Sequence, residues 1–135
     1  EIESLQGRMN ELDDIESGVD VDVWDRTMAI NTRSVMLGCK HAIPRMLESG
    51  GGSIVNISSV SGIIAGHNLA AYNSAKAAVR HLSKSVALHC ARSGNGIRCN
   101  SVHPSFVDTP ILDGLAGPAG RQQAVAHDLL RTNGS

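Results

Sequence analysis

Gly52-Ser53-Ile54-Val55-Asn56-Ile57-Ser58-Ser59 is the stretch that decides the fold. Within it, Ser53–Ser58 is short, apolar and β-branched, with a glycine triplet before it and serines after it. That pattern predicts a buried strand. Residues 59–70 read as loop, punctuated by Gly62 and Gly66. From Ala71 to about Ala91 a long helix is expected, with Ala75, Val79, Leu82 and Val86 on one stripe. Ser93-Gly94-Asn95-Gly96 is a turn cluster, and Gly96–His103 a second strand that Pro104 stops. Ile97, Cys99, Ser101 and His103 share one face of that strand, and Arg98, Asn100 and Val102 the other. Strand, loop, helix, turn and strand make a βαβ unit, with parallel strands joined by a right-handed crossover.

Upstream, a helix is expected from Asp20 to about Leu47, with Asp20 or Asp22 as its cap. Trp24, Met28, Val35, Cys39, Ala42 and Met46 trace its stripe, and Pro44 predicts a kink or a final turn. Residues 1–20 are acidic; Ile2, Leu5, Met9 and Leu12 could form a short amphipathic helix. After Pro104 comes a loop, then a helix rich in small residues.

At 135 residues the chain is one domain's worth. Twelve basic residues against 13 acidic ones leave a net charge of −1, which excludes a strongly basic nucleic-acid binder. Trp24, Tyr72 and Phe106 are too few aromatics for stacking single strands. No apolar run approaches the roughly 20 residues of a membrane span, and the charged start is not a signal peptide. The expectation is a soluble, cytoplasmic protein with no membrane partner. Cys39, Cys90 and Cys99 are then reduced and mostly buried.

Tyr72-Asn73-Ser74-Ala75-Lys76 is the sharpest chemical signal. Positions four apart share a helix face, and an ammonium beside a phenol favours the phenolate. Such a phenol suits proton exchange with a substrate hydroxyl. Alone the pattern is weak, since Tyr and Lys often sit four apart on solvated helices. Its setting strengthens it: Ser59 follows the strand and precedes Tyr72 by 13 residues. Ligands of open α/β sheets bind beyond the carboxyl ends of the strands.

Four segments carry a family resemblance: Trp24–Asn31, Gly52–Ser59, Tyr72–Lys76 and Ile97–Pro104. In order and spacing they resemble the core of a short-chain dehydrogenase/reductase, over residues 14–135. The resemblance implies a doubly wound, Rossmann-like α/β fold with a parallel sheet. It implies a single domain: 1–13 unassigned, 14–110 the core, 111–135 a substrate-binding loop and helix. The implied activity is an oxidoreductase that interconverts a secondary alcohol and a ketone with NAD or NADP. Tyr72 would be the general acid/base. Lys76 would favour its phenolate and hydrogen-bond the nicotinamide ribose, and Ser59 would hold the substrate oxygen. Asn31 would kink its helix and position a water that relays protons to Lys76. Pro104, Val107 and Thr109 match the family's cofactor-contacting run, and His67, in the loop before Tyr72, is a candidate for the substrate pocket. The family also implies a homodimer or homotetramer. Gly38–Met46 and Ile97–Pro110 lean toward enzymes of hydroxysteroids or similar alicyclic alcohols.

The chain departs from the pattern in two ways. Ser105 stands where the family usually has glycine, which costs strain if that position needs positive φ. The family's opening strand, Gly-rich pyrophosphate turn and Asn-Asn-Ala-Gly segment find no counterpart in these 135 residues. Gly94-Asn95-Gly96 precedes a strand, so it is not that turn. Either the chain is a fragment, or it consists of ordered pieces of a longer chain. The second is preferred, because two parallel strands alone would leave apolar faces exposed. The alternative function is a catalytically incompetent binding or scaffolding module. A zinc site from His89, Cys90, Cys99 and His103 is set aside, since their spacing matches no compact zinc pattern and no metal is expected. A serine hydrolase is also set aside: there is no G-x-S-x-G elbow and no S-x-x-K pair.

Overall fold

The computed structural model describes residues 19–107. The expected amphipathic helix near the start, Thr109 and the substrate-binding segment 111–135 lie outside the described residues.

Helix α1, Val21–Met28, begins where Asp20 caps it: one carboxylate oxygen accepts from the Asp22 and Val23 amides at 2.9 and 3.0 Å. Such a cap satisfies two of the otherwise orphaned first-turn donors. The helix widens into a π-helical turn, Ala29–Arg33, and resumes as α2, Ser34–Glu48. Helical backbone therefore runs from Val21 to Glu48, as the pattern predicts, but it departs from α geometry around Asn31. Local polar side chains supply a physical reason. Asn31 Nδ2 donates to the Thr27 carbonyl at 3.1 Å, and the Ser34 hydroxyl donates to the Ile30 carbonyl. Side chains that bond carbonyls four residues back compete with the helix ladder. Pro44 lies inside α2 and opens its final turn.

Strands β1, Gly52–Ile57, and β2, Ile97–Val102, pair in parallel from Gly52 beside Ile97 to Ile57 beside Val102. The helix α3, Ala70–Ser93, connects them across the 3₁₀ turn Val60–Gly62. Gly94 ends α3 with φ of 60°, and its amide donates to Ala91 O. A left-handed residue is what closes a helix this way, and glycine adopts it without a Cβ penalty.

Ala71, Ala75, Val79, Ser83 and Cys90 form the buried stripe of α3. Leu82 and Val86 are only half-buried at its margin. Val79 is fully enclosed, a burial that contributes roughly 1.5 kcal/mol or more. The inward residues of the sheet, Ile54, Ile97 and Cys99, meet Cys39 of α2 and Cys90 of α3 in one cluster. The three cysteines, distant in sequence, converge there as free thiols. Asn56 sits among them: its Nδ2 donates to Ser83 Oγ at 2.9 Å and lies 3.6 Å from Cys99 Sγ. Burial pushes the Cys99 thiol above its ordinary range, and the nearby Cys39 and Cys90 add to it.

The opposite face of the sheet is open among the described residues. Val55 and Ile57 are each 55% exposed and Val102 is 41% exposed. A parallel sheet normally covers both faces; here the described helices reach one.

Candidate active site

Parallel strands and a crossover helix bring their functional ends together. The Ser58 amide donates to Val102 O at 2.9 Å, so pairing continues one step past β1. The chain then turns sharply. Ser59 is extended, and its hydroxyl accepts from the Ser61 amide at 3.1 Å, which starts the 3₁₀ turn. The Val60 amide donates to Pro104 O at 3.0 Å. That bond ties the segment after β2 to the serine turn.

His103 braces the same turn. Its Nδ1 is 3.2 Å from Ser59 O and its Nε2 is 3.0 Å from Ser101 Oγ. A carbonyl can only accept, so Nδ1 carries the hydrogen; in neutral imidazole Nε2 then accepts from the Ser101 hydroxyl. The sequence placed His103 on the same strand face as Ile97, Cys99 and Ser101 but did not reveal this duty. The signal was the register: Ile57 beside Val102 puts 103 next to the residues that follow β1.

The serine turn is pressed onto α3 at Lys76. Ser58 Oγ donates to Lys76 O at 2.7 Å. A Cβ on Gly62 would lie 2.7 Å from that same carbonyl oxygen, so only glycine allows the approach. Lys76 Nζ reaches over the sheet end to donate to Ile57 O at 3.2 Å, and stands 5.6 Å from the centre of the Tyr72 ring. Burial lowers Lys76 from its ordinary 10.5, because desolvation penalises the ammonium. Tyr72 itself is half-buried.

The π-helical turn joins from the other side. Thr32 Oγ1 donates to Ala75 O at 3.1 Å, which fixes that turn against the residue preceding Lys76. Asn31 lies in the turn with its amide nitrogen bonded to Thr27 O. Its neighbour Thr32, unremarked in the sequence, makes the tie to α3.

The loop to Tyr72 is held by Asn73, whose side chain bonds both the amide and the carbonyl of Gly66. His67 is exposed in that loop. Val107 is exposed after Pro104, and Thr109 falls outside the described residues. Ser105 needs no left-handed backbone, since Asn68 is the one non-glycine residue with positive φ among those described. The strain foreseen for a serine there does not arise. No group of three or more His, Cys, Asp or Glu among the described residues could hold one metal ion. Cys90 and Cys99 lie in the core, whereas His89 is exposed. No described helix is long and apolar enough to cross a membrane.

Comparison with known proteins decides the family. A family model described as enoyl-(acyl carrier protein) reductase matches residues 7–135, starting ahead of residue 14, where the motif resemblance begins. The structure resembles the crystal structure of a short-chain dehydrogenase/reductase assigned from Burkholderia xenovorans, with a TM-score of 0.69 and 35% identity over 79% of this chain and 41% of that one. The chain belongs to the short-chain dehydrogenase/reductase family. The Rossmann-like α/β fold expected from the motifs follows with it. Among curated members, 2-(R)-hydroxypropyl-CoM dehydrogenase of Xanthobacter autotrophicus is 44% identical over 107 residues, covering 78% of this chain and 42% of its own. The 3-beta-hydroxysteroid dehydrogenase of Comamonas testosteroni is 38% identical over 115 residues, covering 85% of this chain and 44% of its own. This chain thus spans less than half the length of the short-chain dehydrogenase/reductases it matches.

Proposed function

We propose that this chain is the catalytic part of an NAD(P)-dependent oxidoreductase that interconverts a secondary alcohol and a ketone. The observation that carries the reading is the joint placement of Ser59, Tyr72 and Lys76. The Ser58 bond to Lys76 O and the Gly62 approach seat the Ser59 turn on the helix that bears Tyr72 and Lys76. The Lys76 ammonium lies within reach of the Tyr72 ring.

In this mechanism Tyr72 gives or takes the proton of the substrate oxygen. Lys76 favours the phenolate through its charge. Ser59 holds the substrate oxygen by a hydrogen bond, with its backbone fixed by His103. Asn31, in the widened helical turn, positions a water on the proton path to Lys76. Lys76 and Pro104 would hold the nicotinamide end of the cofactor, which when bound would supply the hydride chemistry. The residues present fit the nicotinamide end of such a cofactor. Lys76 brings an ammonium to the carboxyl end of the sheet, and Pro104 is anchored to the serine turn through the Val60 amide. Pro104, Val107 and Thr109 would line it, and no residue here supplies the pyrophosphate turn. The substrate side takes His67 and the segment 111–135, in one domain with the core 14–110. Relatives named for 3-beta-hydroxysteroids and for hydroxycyclohexanecarboxylates support an alicyclic or hydroxysteroid-like alcohol as the substrate. The family assignment also favours a homodimer or homotetramer.

Fluorescence titration of the full chain with NADH and NADPH tests this reading. Saturable binding of either one, with turnover of a secondary alcohol, is the expected result. Absence of binding to both contradicts it and favours a scaffolding module.

A further inference from the structure

Asn73 follows Tyr72 on α3 but points elsewhere, because one helical step turns a side chain by about 100°. Its carboxamide reaches back across the loop. Nδ2 donates to Gly66 O at 2.8 Å, and Oδ1 accepts from Gly66 N at 3.2 Å. One side chain thus satisfies both polar backbone atoms of Gly66. The two ends of the loop are fixed independently: the Ile64 amide donates to Val60 O at 2.9 Å, and the Asn73 amide to Leu69 O at 2.7 Å. Between those ends the chain passes through Asn68 in the left-handed region, with φ of 54°.

What the loop displays is apolar. Ile63 is 53% exposed and Ile64 64%, and His67 is exposed beyond them. Large apolar side chains held in solvent on the segment between Ser59 and Tyr72 suit a ligand with a bulky apolar body. A loop without internal secondary structure keeps such a display only if something fixes its middle. The Asn73 carboxamide, gripping Gly66, does that.

We propose that Asn73 is a positioning residue: by clamping Gly66 it sets the shape of the loop Ile63–Asn68 and so the affinity for an apolar alcohol, without touching that alcohol. This rests on the reading that Tyr72 acts on an alcohol. It assigns to Asn73 a share of substrate affinity and no share of the proton transfer.

The test compares wild type, Asn73→Ala and Asn73→Asp in the full chain by amide hydrogen exchange and by steady-state kinetics on a cyclic secondary alcohol. Alanine is a good helix former and aspartate suits a first helical turn, so both variants keep α3. The Gly66 amide should exchange roughly tenfold faster in Asn73→Ala, with Lys76 and Val79 amides unchanged. Asn73→Asp, which still accepts from Gly66 N, should restore that protection. Asn73→Ala should raise KM for the alcohol by roughly tenfold and Asn73→Asp, which keeps one of the two bonds to Gly66, by clearly less, with kcat and the pH profile of both within about twofold of wild type. Equal Gly66 exchange in wild type and Asn73→Ala overturns the clamp, whatever the activity. A lost clamp with unchanged KM overturns the role in affinity. Wild type that protects Gly66 yet turns over no alcohol overturns the functional reading and the substrate role together, and the intact protection tells this result from the first.

Discussion

Replacing Gly62 by alanine probes the contact on which the site depends. Its Cβ would stand 2.7 Å from Lys76 O, 2.8 Å from Lys76 C and 2.8 Å from Ser58 Oγ. Two of these atoms are helix backbone, which cannot swing aside. The serine turn and α3 must therefore separate by about 0.7 Å to reach ordinary contact. Overpacking of this kind costs roughly 1–3 kcal/mol. Separation also stretches the 2.7 Å bond from Ser58 Oγ to Lys76 O, which is worth about 1 kcal/mol. The expected destabilisation is about 2–4 kcal/mol. Function should suffer more than stability, because Ser59 moves with the turn while Tyr72 stays on the helix. A misplacement approaching 1 Å can cost on the order of 100-fold in turnover. Urea denaturation and steady-state kinetics on the same preparation measure both effects. A Gly62→Ala protein with wild-type stability and wild-type turnover would refute the packing described here and the dependence of Ser59 on it.

Further outcomes follow from the buried groups. Burial holds Lys76 below 10.5, so between that lowered value and 10.5 the folded chain binds fewer protons than the unfolded one. Stability should therefore gain with rising pH across that window, as the cost of burying the ammonium is relieved. Lys76→Met should remove this gain; identical urea-midpoint slopes for the two proteins across the alkaline range below pH 10.5 count against it. Cys39, Cys90 and Cys99 are 5%, 1% and 7% exposed, and burial raises the Cys99 thiol. All three should resist iodoacetamide in the native protein and react after denaturation. Rapid native labelling of Cys99, read by peptide mass, would show that the core opens.

The local elements were legible because their signals are local. Ile54 and Val55 between glycines and serines mark a strand, and Ala75 and Val79 mark the helix face that lies on it, although Leu82 and Val86, read on the same stripe, sit only at its margin. Asp20 or Asp22 marked the helix start, and the structure selects Asp20. The π-helical turn was legible only through the resemblance, which implies a kink at Asn31; the residue pattern alone points to Pro44, and the carbonyl competition by Asn31 and Ser34 leaves only a faint trace. The bracing of the site was less legible still. His103, Thr32 and Gly62 act across 44, 43 and 14 residues of sequence respectively, on Ser59, Ala75 and Lys76. Such ties depend on strand register and helix packing, which pattern alone does not provide. Tyr72 and Lys76 were visible because their partnership is an i, i+4 relation. The convergence of three separate cysteines on Asn56 was hidden for the opposite reason.

Turnover by Tyr72→Phe, measured on a secondary alcohol beside a titration with the reduced nicotinamide, tests the central claim most directly. Loss of a single hydroxyl leaves the ring beside Lys76 and the fold intact. The account predicts that kcat falls by at least roughly 100-fold, the lower range for a lost general acid/base, while cofactor affinity changes little. A Tyr72→Phe protein that keeps near-normal turnover would contradict it.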